Sequence, residues 1–170
     1  IKQERPMSKT KAFVSLLLIL CSVGLTGCKP KPFSETDISQ SKVVLQDVLN
    51  AFAKNDVNAL QGNFVPTATE LISTVVEVKN VWFDTLKSIG VESASVSGYR
   101  VDQFDVVKNE PDRLTASVLY TGTYTFTATK SSKTYVCSHQ VEVVFVKYEG
   151  KVLVGNLQQQ GAPPSCKEVK

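Results

Sequence analysis

His139 and the tyrosines Tyr120 and Tyr124 are the side chains of this 170-residue chain whose types could combine for proton transfer. An imidazole beside a phenolic hydroxyl can act as a general base when an acidic group orients it. Strand alternation puts all three inward: His139 falls with Cys137, Val141, Val143 and Phe145, and the tyrosines with Leu114, Ala116 and Val118. Their spacing does not show that they converge. The expectation is therefore a partly buried, hydrogen-bonded structural histidine and two core tyrosines with satisfied hydroxyls. No catalytic residue is assigned, and these three are the candidates. Asp102 and Asp105 lie three apart on an irregular strand, so they should point to opposite faces, against a paired-carboxylate site. The chain has no nucleophile elbow, phosphate loop or metal-ligand cluster, so no cofactor or metal is expected.

The cysteines are the other reactive set. Lys9 and Lys11 precede an apolar run from Ala12 to Leu20, and Leu25-Thr26-Gly27-Cys28 closes the segment. This is the order of a secretory leader, with Met7 as its start and residues 1–6 left out of fold reasoning. Its end resembles the lipobox of bacterial lipoproteins. That resemblance implies cleavage before Cys28, a diacylglycerol on its thiol and further acylation of the palmitate type. The apolar run is shorter than the ~20 residues that cross a bilayer. Cys21 leaves with the leader. Cys137 and Cys166 then remain as a pair in a compartment that permits disulfides. A disulfide between them is expected, worth roughly 3–4 kcal/mol in the chain-entropy model, with two free thiols as the rival. Two distant cysteines and one histidine are too few for a metal site.

The leader also explains the charge. The chain carries a formal +3, but segment 1–27 holds four of the basic and one of the acidic residues, leaving fifteen of each. Without a basic patch, nucleic-acid binding loses its electrostatic footprint. The remainder suits a lipidated tether over 28–34, with Lys29-Pro30-Lys31-Pro32 as a stiff spacer, and a single domain over 35–170.

Helices come first. Ser34 or Thr36 can cap a helix carrying Ile38, Leu45, Val48, Leu49 and Phe52, ending near Asn55. Asp56 starts a short segment, Val57 to Phe64, that Pro66 stops. Thr67-Ala68-Thr69-Glu70 has the form of a capping box. The helix behind it sets Leu71, Val75, Val78, Trp82 and Leu86 on one side and stops at Gly90. Strands follow: an irregular one around Ser93 to Val107, then Leu114 to Thr129, Thr134 to Tyr148, and Val152 to Gln159. The second alternates an apolar face with a threonine-rich solvent face, as in an antiparallel sheet wet on one side. That threonine face could bind a partner, but β-propensity explains it more simply. Asn109 to Asp112 and Lys130 to Lys133 are turns, and Glu149-Gly150 is a tight hairpin turn. If Tyr148 opposes Lys151, Cys137 faces position 162, and a disulfide to Cys166 would clamp the C-terminal tail onto the third strand.

This order resembles the NTF2-like fold. Val48 to Leu60, with Asp56 starting the second helix, is similar to that family's first-helix exit, and Val146 to Val152 to its last hairpin, although Val152 stands where an aromatic residue is usual. The resemblance implies an α+β domain: helices against the concave face of a curved four-stranded antiparallel sheet, often leaving a pocket. Ketosteroid isomerases and scytalone dehydratases of this fold place Asp or His with Tyr in that pocket. Most similar are small envelope lipoproteins of unassigned role. Lys29 after the lipidated cysteine resembles the outer-membrane pattern of enteric bacteria, facing the periplasm in a Gram-negative cell.

The function expected first is a lipid-anchored, non-catalytic envelope protein that binds a protein partner or assembly, conjugation or phage exclusion among them. The second is a carrier or sensor of a small apolar ligand. The third is an isomerase- or dehydratase-like enzyme using His139.

Overall fold

A computed structural model describes residues 31–88, 90–161 and 163–169 of the chain. The expected leader, with Cys21, and the expected lipobox residues Leu25, Thr26, Gly27 and Cys28 lie outside the described residues.

Helix α1, Glu35–Lys54, starts where the sequence provides a cap. Ser34 is that cap: its Oγ accepts from the Asp37 amide at 3.3 Å, and Asp37 Oδ2 accepts from the Ser34 amide at 2.8 Å. This reciprocal box satisfies amides that a helix start leaves unpaired. Val44, Leu45, Val48, Leu49 and Ala51 form its buried stripe, flanked by the partly buried Ile38 and Phe52. Asn55 ends it in the left-handed region, at φ 56°. Asp56 then caps α2, Val57–Asn63, accepting from the Ala59 amide at 3.0 Å.

The chain departs from expectation after α2. Phe64 is extended and bridges Val154, and Pro66 opens a 3-10 turn, Pro66–Ala68, before α3, Thr69–Ser88. Proline fits such a first turn because its missing N–H would be unpaired there anyway. The side chains of Glu70, Leu71, Val75, Val78 and Trp82 lie outside the described residues. Ile72 is buried and Val76 packs against the core, while Leu86 is half-buried. Gly90, at φ 93°, turns the chain out of α3 as expected.

The sheet has five strands rather than four: β1 Ser93–Asn109, β2 Arg113–Ala128, β3 Ser131–Tyr148, β4 Lys151–Gln159 and β5 Ser165–Val169. All pairings are antiparallel, in the order β1-β2-β3-β4, with β5 also paired to β3. The β2–β3 turn is tighter than Lys130 to Lys133, because Ser131, Ser132 and Lys133 already pair with Ala128, Thr127 and Phe126. Glu149 and Gly150, both at positive φ, make the expected tight turn.

The Tyr148–Lys151 register holds from there to Phe145–Val154 and then slips by one residue at Gly155. β3's outer edge is shared end to end, β4 covering Val141 to Tyr148 and β5 covering Thr134 to Ser138. The tail does return to β3, but as a ladder in which Cys137 opposes Cys166. The change of register falls between the end of β4 at Gln159 and the start of β5 at Ser165. β5 escaped the sequence reading because it follows Pro163-Pro164, is five residues long and turns no side chain into the core.

The core lies between α1, α2 and the inner face of the sheet, where Leu114, Ala116, Val118, Val143, Phe145 and Val154 are 0% exposed. On the other face, β2's threonines are half-buried by their neighbours, and Thr125 and Thr134 hydroxyls meet at 3.2 Å across the ladder. Phe33, assigned to the tether from sequence, packs into the domain at 4% exposure. Asn109 holds its backbone at both ends: Phe33 N donates to Oδ1 at 2.8 Å, and Nδ2 donates to Phe33 O at 2.9 Å. Lys147 Nζ stands 4.8 Å from the Phe33 ring centroid and pairs with Asp37 at 2.8 Å. That Lys147 bond, with the Ser34 amide and hydroxyl, holds the Asp37 carboxyl down at about 2.

Candidate functional site

Beyond Val118 and Val141, the inner face of the sheet changes character. Tyr120 and Tyr124 follow on β2 and His139 on β3, with Tyr120 and His139 directly paired in the ladder. Their rings stack, centroids 4.8 Å apart and planes 6° from parallel. Tyr124 Oη lies 3.0 Å from His139 Nε2 and 3.4 Å from Tyr99 Oη. The three residues placed inward from sequence therefore do converge.

Tyr99 is the member the sequence reading missed. It stands on β1 opposite Gly122, and its ring occupies the space a side chain there would need. A Cβ on Gly122 would sit 2.6 Å from Tyr99 Cε1 and 2.9 Å from Tyr124 Cε2. Glycine is required at 122 for this close approach. The Gln46 side chain on α1 grips the same stretch of β1, Nε2 donating to Tyr99 O at 2.9 Å and Oε1 accepting from Val101 N at 3.3 Å.

Burial dominates the site's electrostatics. It pushes the Tyr99 and Tyr120 hydroxyls well above the ordinary phenol range, in Tyr99 reinforced by the Tyr124 hydrogen bond, and it raises Tyr124 as well. It also lowers His139. At neutral pH the cluster is thus uncharged: three phenols and a neutral imidazole. The single phenolic hydrogen of Tyr124 serves one neighbour at a time. Donated to Tyr99, it requires the imidazole proton on Nε2; donated to Nε2, it leaves Tyr99 as the donor to Tyr124.

The expected carboxylate arrangement changes. Asp102 occupies the register shift between Val101 and Gln103, where one extra residue resets the alternation. It pairs with Arg100 Nε at 2.7 Å, while Asp105 accepts from Gln103 Nε2 at 2.6 Å. Arg100, Gln103 and Asp105 oppose Thr121, Leu119 and Ser117 on the outer face. The two acids share that side rather than taking opposite faces, each engaged by its own strand neighbour. Among the described residues, the hydrogen-bond partner of His139 is a phenol, not a carboxylate. Nor does any group of three His, Cys, Asp or Glu among them come together to hold a metal ion.

Beside the cluster is a cavity of about 260 Å3. Val48, Leu49 and Phe52 of α1, Leu60 of α2, and Ile72, Tyr120 and Leu157 line it. Tyr120 connects it to His139. Cys137, buried on the same face of β3, forms a disulfide with Cys166 across 29 residues of chain.

No family profile and no curated protein matches this chain. Five chains of solved structures are similar to it. One, from Novosphingobium aromaticivorans and provisionally named an aromatic ring hydroxylase, aligns with a TM-score of 0.53 at 10% identity, over 79% of this chain and 95% of its own. At that identity the likeness shows the fold alone: the domain is α+β and NTF2-like.

Proposed function

We propose that this is a lipid-anchored envelope protein, tethered through Cys28 after removal of the 1–27 leader, whose domain takes up a small apolar ligand without transforming it. In a Gram-negative cell it sits at the outer membrane facing the periplasm. The cone-like half-barrel of the fold family is the container. The observation that carries the binding reading is the cavity, which Tyr120 alone among its named lining residues supplies with a polar atom. Its volume, about 260 Å3, is close to the lower end of ligand pockets, roughly 300–1,000 Å3, and suits a compact neutral molecule. The His139 imidazole is held by the Tyr124 phenol, with no orienting carboxylate among the described residues.

Two measurements test this. Mass spectrometry of the protein purified from membranes should find Cys28 N-terminal and acylated; an intact leader or a bare thiol refutes the anchor. A neutral naphthalene-type fluorescent probe should bind the domain, and Leu157→Phe, which fills the cavity, should weaken that binding at least tenfold. Equal binding by that variant refutes the cavity reading.

A protein partner is the second reading, supported by β1. This outer strand of the sheet exposes Val106 at 41% and Val107 at 61%. Such an edge can accept a strand from another chain.

A further inference from the structure

We propose that the segment after Gln160 is a redox-released latch: reducing Cys137–Cys166 detaches β5 from β3 and leaves the rest of the domain folded. β4 and β5 lie along the same edge of β3 but are held by different means. β4 buries Val152, Leu153 and Val154 in or beside the core. Every residue of β5 is exposed, and none belongs to the core cluster. Among the described residues, β5 has, besides its ladder to Thr134–Ser138, the disulfide and an exposed Lys133–Glu168 pair at 3.2 Å. A solvent-exposed ion pair adds little, and a lone short strand does not recover its ordering entropy without buried side chains. The covalent bond is therefore what keeps β5 in place.

The two sulfurs differ in access. Cys137 is 7% exposed, whereas Cys166 lies on the exposed strand. A thiolate of an incoming dithiol attacks Cys166 Sγ, forms a mixed disulfide there and expels the Cys137 thiolate, which takes a proton from water. The second thiol of the dithiol displaces Cys166. Two electrons pass to the protein, and the reductant leaves as a disulfide. Release uncovers the edge of β3 from Thr134 to Ser138, next to His139. That residue lies between the two ladders, after Ser138–Ser165 and before Val141–Gln159. The latch operates whether or not the cavity holds a ligand.

Hydrogen exchange read by mass spectrometry on the full chain, oxidised against dithiothreitol-treated, tests it, with Cys166→Ser as the variant that leaves the buried cysteine in place. The β5-facing amides of 134–138 and the amides of 165–169 should exchange at least tenfold faster in both reduced and variant protein, while those of 114–118 and 141–146 change less than twofold. Unchanged exchange at 165–169 overturns the latch, as does loss of protection at 114–118. A chain ending at Gln160 supplies the independent check. It should keep cooperative thermal unfolding, and failure to fold overturns the proposal.

Discussion

Two stretches of the same two strands carry opposite surfaces. From Leu114 to Val118 on β2 and from Val141 to Phe145 on β3, the inner face is sealed, no inward side chain being more than 2% exposed. A few residues further along, Tyr120, Tyr124 and His139 are only half-buried and hold one another through hydroxyls, a ring nitrogen and stacked rings. Backbone pairing is continuous through both stretches, so the ladder does not set the difference. Side-chain type does: branched aliphatics close one end, and rings with a polar edge line the other. A fold can keep polar groups on its inner face where they satisfy each other and stay uncharged, because a lone buried polar group is what costs most.

This contrast predicts a graded response to substitution. Phe145→Ala at the sealed end should cost the most, about 3–5 kcal/mol in denaturant unfolding. A loss below about 1 kcal/mol would mean that the sealed end is not the folding core. At the junction, Gly122→Ala should cost roughly 1–3 kcal/mol, since its Cβ must displace the Tyr99 and Tyr124 rings; a neutral result would break the close packing drawn between them. Tyr124→Phe, which keeps the ring and removes the hydroxyl, should cost only about 0.5–1.5 kcal/mol. A loss as large as that of Phe145→Ala would erase the distinction between the two ends.

The smallest effect is one of pH. Burial lowers His139 below the ordinary histidine value of about 6.5, so the unfolded chain takes up a proton that the folded site resists. Stability should therefore hold above pH 6.5 and fall as the pH drops below it. His139→Gln should flatten that part of the profile, and an unchanged slope in the variant would assign it to other groups.

The regular parts of the molecule were legible in the sequence and the irregular strand was not. The Ser34 cap, the α1 stripe, the Glu149-Gly150 turn and the inward placing of His139, Tyr120 and Tyr124 all follow from local patterns that the structure keeps. β1 breaks its own pattern with three register shifts. Tyr99 and Phe104 are five apart, which on a regular strand means opposite faces. The shift between Val101 and Gln103 turns both inward, opposite Gly122 and Val118. Periodicity could not reveal that, and so Tyr99 was lost from the cluster and Asp102 and Asp105 were set on opposite faces. Gly122 itself was a usable signal, a lone glycine inside a strongly alternating strand.

The grip on Phe33 has a mechanical consequence. A pull on Lys31 does not simply unwind α1 from its first turn. It reaches the sheet through Asn109 at the end of β1 and through Lys147 near the end of β3, two strands separated by β2. Tension is thus divided between two supports before any helical hydrogen bond bears it. In the anchored protein proposed above, that would make Phe33 a strain relief, much as a cable is clamped where it enters its housing.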